Sequence, residues 1–108
     1  MARILVVEDD AGQLEIRKQI LEHAGYEVVT AENADDAIDR LSGCGLVVMD
    51  LQIPTPEEGM KLIGAAAGSA CIIVLSGALP DGHLPVDDFL VKPFSSRKLL
   101  ETIARFTA

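Results

Sequence analysis

An α/β domain built on a parallel sheet is the fold class this sequence predicts, and two observations predict it. Five short aliphatic runs, RILVV, YEVVT, LVVMD, CIIVL and DDFLV, alternate with segments whose apolar residues recur at three- and four-residue spacing. The central runs are apolar throughout, the pattern of strands covered on both faces, and helices between successive strands make the right-handed crossovers a parallel sheet requires. At 108 residues the chain forms one domain, 1–108, with a single modest core.

The first strand, Arg3–Val7, runs into three acids, Glu8, Asp9 and Asp10. Asp10 stands three residues before Gln13, which makes it a helix N-cap with a capping-box partner and gives it a structural role in place of a ligand's. The helix it opens carries Leu14, Ile16, Ile20, Leu21 and Ala24 on its apolar positions and stops at Gly25. Tyr26–Thr30 is the second strand, with Glu27 polar enough for a sheet edge. Asn33 caps a second helix with Ala34, Ala37, Ile38 and Leu41, ending near Gly43. The third strand, Leu46–Asp50, is apolar up to the acid at its end, and Pro54 closes the region. Thr55, Pro56 and Glu58 then supply a cap, a proline at the first helical position and a glutamate at the third.

The helix after that start contains Gly59, Gly64 and Gly68, each costing up to ~1 kcal/mol against alanine, and is expected to be short and close-packed. Cys71–Leu75 is the fourth strand, ending in Ser76 and Gly77. Between Gly77 and Val86, Pro80, Gly82 and Pro85 exclude a normal helix. Asp87–Val91 is the fifth strand, followed by Lys92, Pro93 and Phe94, and Ser95 caps a last helix with Leu99, Leu100, Ile103 and Phe106 on one face. The aliphatic helix faces are assigned to the core, and Met49 and Met60 need no cofactor to explain them. His23 gains from the dipole at a helix C-terminus, and His83 has no visible catalytic or metal partner.

Composition narrows the function. With 49% hydrophobic but only 4% aromatic residues, the core must be aliphatic. No apolar run reaches the length of a membrane span and the N-terminus has no secretory architecture, so a cytoplasmic protein without a membrane partner is expected. Cys44 and Cys71 fit neither a metal pattern nor a disulfide framework and read as buried, reduced thiols. A formal net charge of -8 argues against direct nucleic-acid binding, so any DNA-directed role would run through another protein or domain.

The chemistry collects at the strand ends. In a parallel sheet these share one edge and form the crevice where ligands bind. The first strand brings Glu8 and Asp9 there, the third Asp50, the fourth Ser76 and the fifth Lys92. One lysine does not balance three carboxylates, whereas a divalent cation does. Oxygen-only ligation suits Mg²⁺, whose natural further partner is phosphate. A carboxylate beside Mg²⁺, a lysine and a hydroxyl is suited to accept a phosphoryl group, with Asp50 as nucleophile and the metal and lysine neutralising phosphoryl oxygens.

These residues sit in motifs, ILVVEDD at Ile4–Asp10, VVMDLQIP at Val47–Pro54, VLSG at Val74–Gly77 and FLVKPF at Phe89–Phe94. In that order they resemble, over the whole chain, the receiver domain of two-component response regulators. The resemblance implies the flavodoxin-like fold of the chemotaxis switch protein: three layers, a five-stranded parallel sheet in the order 2-1-3-4-5, and helices on both faces. It implies that Asp50 is phosphorylated, that Glu8 and Asp9 hold Mg²⁺ directly or through water with Asp50, and that the backbone carbonyl of Gln52 completes the metal site. Ser76 and Lys92 would bind the phosphoryl oxygens, Phe89 would report the switch through its rotamer, and the Lys92–Pro93 bond would be cis, aiming the lysine at the site. The implied partners are a histidine kinase or histidine phosphotransfer protein upstream and an effector protein or output domain downstream. Such a domain is a switch that assists its own phosphorylation and dephosphorylation, not an enzyme.

The chain also departs from the family. Ser76 and Lys92 are 92 − 76 = 16 positions apart, fewer than the family has, so the fourth helix is expected to be short or absent, which puts the usual signalling or dimerisation face in question. Gly59 comes one position later than usual, Gly77 stands where alanine is common and opens room for Phe89, and Gln52 and Ala78 occupy positions that tune phosphoryl hydrolysis. Two other functions compete with the switch. One is a pseudo-receiver that binds a partner regardless of phosphorylation, motivated by the shortened fourth-helix region. The other is a Mg²⁺-dependent phosphohydrolase with an aspartyl nucleophile, against which stands Gln52 in place of a second aspartate.

Overall fold

The computed structural model describes residues 2–77 and 84–107. The sheet runs through β1 (Arg3–Val7), β2 (Glu27–Ala31), β3 (Leu46–Asp50), β4 (Cys71–Ser76) and β5 (Asp88–Val91), all parallel, in the order β2-β1-β3-β4-β5. Helices α1 (Ala11–His23) and α4 (Ser96–Thr107) cover one face, and α2 (Ala34–Arg40) and α3 (Pro56–Ala66) the other. This is the three-layer arrangement expected. Among the described residues no helix lies between β4 and β5. Residues 78–83, with Ala78, His83 and most of the proline- and glycine-rich stretch, lie outside the described residues.

Each helix starts where a side-chain acceptor was expected. Asp10 accepts from the Gln13 amide at 3.0 Å, Asn33 from Asp36 at 2.8 Å, Thr55 from Glu58 at 3.3 Å and Ser95 from Lys98 at 3.0 Å. These caps satisfy amides that the helix itself leaves without partners. Gly25 follows α1 with φ 99° and Gly68 follows α3 with φ 85°, a left-handed backbone that glycine adopts without a Cβ penalty.

The strands alternate their side chains between two aliphatic clusters, as period two requires. Leu5, Val7, Val47, Met49, Ile72 and Val74 pack toward α2 and α3. Ile4, Val6, Leu46, Val48, Ile73 and Leu75 pack toward α1 and α4. β3 is buried at every position and lies at the centre of the sheet, while Glu27 is exposed on the β2 edge.

Several expectations are corrected. α3 is not short: it makes 11 residues, because its glycine cost is outweighed by a buried face of Leu62, Ile63 and Ala66, and Gly68 lies beyond its end. Ile16 and Met60 are exposed, at 53% and 42%, and belong to no core face. Position 17 takes the inward place in α1, whose buried residues Leu14, Arg17 and Leu21 follow a three- and four-residue spacing. Cys44 is buried but Cys71 only half-buried, and both are free thiols. Asp87 lies just outside β5, where its carboxylate accepts from the Ile72 amide at 2.7 Å and its own amide donates to the Ile72 carbonyl at 2.8 Å.

Candidate functional site at the carboxyl edge of the sheet

Register sets the strand ends side by side. Val7 is level with Met49, Asp50 with Leu75 and Ser76 with Val91, so Glu8, Asp50, Ser76 and Lys92 step across one edge. The pleat sorts their faces. Glu8 continues the Ile4–Val6 row, Asp50 the Leu46–Val48 row and Lys92 the position of Leu90, all on the α1/α4 side, while Ser76 and Phe89 belong to the α2/α3 side. Backbone bonds fix the ends: the Glu8 amide donates to the Ala31 carbonyl at 3.1 Å and the Lys92 amide to the Ser76 carbonyl at 2.7 Å.

Asp50 is 9% exposed, the end of an otherwise apolar strand. Its Oδ2 accepts a hydrogen bond and ion pair from Lys92 Nζ, and its Oδ1 accepts from the Gln52 amide at 3.3 Å. Gln52 itself is exposed. The Lys92–Pro93 bond is cis as expected, and so is Ile53–Pro54.

Glu8 is 4% exposed and pairs with a residue the sequence reading passed over. Its Oε1 lies 3.3 Å from Arg17 Nη1, and its Oε2 accepts the Asp9 amide at 3.1 Å. Burial pushes the Glu8 carboxyl up from its ordinary range, Arg17 pulls it down, and Asp50 pushes it up again. The signal that points to Arg17 is its place one helical repeat from Leu14 and Leu21, where a charge must face inward. Asp9 is exposed beside this pair.

The structure therefore pairs Asp50 with Lys92 directly and sets Glu8, paired with Arg17, close enough to feel the charge of both, with Asp9 and the Gln52 backbone nearby. Ser76 is half-buried one strand over. Phe89 is half-buried against the α2/α3 cluster, away from the acids. Among the described residues no three acid, histidine or cysteine side chains are grouped so as to hold a metal ion between them. The donor set nevertheless fits Mg²⁺, which takes one or two carboxylates and keeps several waters.

α3 is seated against the same strand exit. A Cβ on Gly59 would lie 1.9 Å from the Leu51 carbonyl oxygen, so the first turn of the helix touches the backbone that follows Asp50. Only glycine permits that approach.

Comparison with known proteins decides the family. The response regulator receiver domain family matches residues 4–104. The chain belongs to this family. Among curated relatives, the receiver is 34% identical over 115 residues to the transcriptional regulatory protein CrdR of Helicobacter pylori, covering 96% of this chain and 54% of that one. It is 34% identical over 116 residues to the chemotaxis protein CheY of Bacillus subtilis, covering 94% and 93%. The receiver thus spans about half the length of CrdR and nearly all of CheY. Among solved structures, it resembles the response regulator TrrA of Thermotoga maritima in complex with Mg²⁺-BeF, at 29% identity and a TM-score of 0.82, covering 98% and 99%. It also resembles a crystal structure of histidine kinase ThkA in complex with TrrA, at 29% identity and a TM-score of 0.86, covering all of both chains. The fold expectation and the assignment to two-component signalling both hold.

Proposed function

We propose that Asp50 is the phosphoacceptor of this receiver, taking a phosphoryl group from a histidine kinase or a histidine phosphotransfer protein. The observation that carries the reading is a nearly buried carboxylate at the end of the central strand, ion-paired to Lys92 from β5. Burial and a fixed strand hold the Asp50 oxygens in place, and Lys92 is positioned to follow negative charge from the carboxylate onto the incoming phosphoryl oxygens. The Gln52 amide holds the second carboxylate oxygen and orients the plane of the group. Ser76 contributes a hydroxyl from the neighbouring strand end.

Glu8, Asp9, Asp50 and the Gln52 carbonyl would hold Mg²⁺, which when bound neutralises phosphoryl oxygens. The TrrA complex with Mg²⁺-BeF supports this assignment by analogy. Ser76 and Phe89 share the α2/α3 side of adjacent strands, so a pull on Ser76 reaches the space beside Phe89, and we assign the switch to this pair. The readout is a changed contact with an effector protein or output domain. The receiver assists its own phosphorylation and dephosphorylation without acting as an enzyme on other substrates, and it works in the cytoplasm. Among the described residues, no helix is long and apolar enough to cross a membrane.

The test is incubation with acetyl phosphate and Mg²⁺, followed by intact mass. The wild type should gain one acid-stable, alkali-labile phosphoryl group and Asp50→Asn none. A wild type that never gains this mass, or an Asp50→Asn variant that gains it equally, refutes the assignment.

A further inference from the structure

Arg17 has no role in the chemistry above, yet it is a cation with only 7% of its side chain exposed, in a protein of net charge -8 that has many exposed acids to offer it. Its Nη1 makes the 3.3 Å ion pair with Glu8 without hydrogen-bond geometry and has no other partner among the described residues. Arg17, Glu8 and Lys92 line one open cleft of about 460 Å³ between α1 and the β5–α4 turn, with Ile16 and Phe94 also in its wall. Glu8 and Asp50 therefore each already have a cation supplied by the chain, Glu8 from Arg17 and Asp50 from Lys92.

A buried guanidinium beside a carboxylate has two consequences. It keeps Glu8 tolerable inside the protein when nothing else neutralises it, since a buried carboxylate without a partner is strongly destabilising. It also repels any second cation that seeks the same carboxylate, and does so strongly because the site is poorly screened.

We propose that Arg17 is a positioning residue that competes with Mg²⁺ for Glu8, holding the carboxylate in the metal-free receiver and setting the metal affinity low. This rests on the metal reading given above. The metal-free fold is then already neutralised, and Mg²⁺ binds by displacing Arg17 from Glu8 or by sharing Glu8 with it. Lysine at position 17 keeps the charge, whereas methionine keeps the apolar stem and removes it.

The experiment is calorimetric titration of Mg²⁺ alone into the wild type, Arg17→Met and Arg17→Lys, at mildly alkaline pH where the carboxylates are ionised, with melting temperatures recorded with and without the metal. Arg17→Met should bind Mg²⁺ roughly tenfold more tightly or better, and Arg17→Lys should stay within about threefold of the wild type. Metal-free Arg17→Met should melt below the wild type, and Mg²⁺ should raise its melting point by more. If methionine at this site does not fold, Arg17→Gln, which removes the charge and keeps a donor, carries the same expectation. An uncharged variant that binds Mg²⁺ as the wild type does, or more weakly, overturns the proposal and leaves the metal reading intact. Failure of every protein, the wild type included, to bind Mg²⁺ overturns both.

Discussion

Replacing Gly59 and, separately, Gly64 by alanine tests how α3 is seated under the acceptor strand. Both residues lie within one helix, and intrinsic propensity alone predicts that each change stabilises it by up to ~1 kcal/mol. The surroundings divide them. At Gly64 an added Cβ meets no atom within 4 Å, so the propensity gain stands. At Gly59 the Cβ would lie 1.9 Å from the Leu51 carbonyl oxygen and 3.0 Å from its carbon. Reaching ordinary contact at 3.4 Å requires a separation of 3.4 − 1.9 = 1.5 Å between two backbone segments, neither of which has a rotamer to change. Overpacking costs about 1–3 kcal/mol even where side chains can yield, so a net loss of about 2 kcal/mol or more is expected for Gly59→Ala. Urea denaturation followed by circular dichroism measures both variants. With a slope of about 1–2 kcal/mol per molar, the Gly59→Ala midpoint should fall by about 1 M or more while Gly64→Ala rises slightly. Because Leu51 adjoins Asp50, Gly59→Ala should also slow phosphorylation by acetyl phosphate. A Gly59→Ala midpoint equal to or above that of Gly64→Ala would refute the close approach.

Three further outcomes follow from the site and the core. Lys92→Ala should retain the far-ultraviolet spectrum but accumulate phosphoryl groups roughly tenfold more slowly or worse, because it removes the cation that follows charge onto the phosphoryl oxygens; an unchanged rate in a mass-based time course would contradict that role. Glu8, whose carboxyl is raised chiefly by burial, contributes stability that is present at low pH and lost as pH rises through its folded value. The stability of metal-free Glu8→Gln relative to the wild type should therefore increase from acid to neutral pH, and a difference independent of pH or sloping the other way would exclude the effect. Burial also raises the Cys44 thiol, so in the folded protein iodoacetamide should modify half-buried Cys71 first and Cys44 only slowly, as peptide mapping after timed quenching would reveal.

Much of the fold was written in local signals that the tertiary structure did not override. Asp10, Asn33, Thr55 and Ser95 cap helices because each places a short side-chain oxygen against an amide three residues ahead, a bond that needs no distant partner. The continuous apolar runs gave a parallel sheet because strands covered on both faces have no polar side to alternate with. Strand limits moved by a residue where tertiary partners intervened: Ala31 joined β2 beside Val7, and Asp87 left β5 to bind the Ile72 backbone with both its amide and its carboxylate. The glycines of α3 were misjudged together because composition counts them alike, whereas Gly59 meets a carbonyl, Gly64 meets open space and Gly68 ends the helix.

The site divides along the same line. Glu8, Asp50 and Lys92 could be placed at one edge because strand ends in a parallel sheet coincide, and the pleat puts all three on one face. What spacing along the strands could not supply was the cation beneath Glu8, since that comes from a helix whose rotation depends on packing. The apolar spacing counts Ile16 on the buried face of α1 and takes no account of Arg17. A turn of 100° per residue, anchored at Leu14 and Leu21, decides between them: position 17 falls within about 60° of both anchors, whereas position 16 falls about 140° or more from either. Once Arg17 is inward it cannot remain alone, because a buried guanidinium requires an anion, and among the described residues the carboxylate it meets is Glu8. Burial of the two is thus one decision rather than two. Removing either leaves the other desolvated and without its counter-charge, so the acid edge of this receiver and the inner face of α1 must change together.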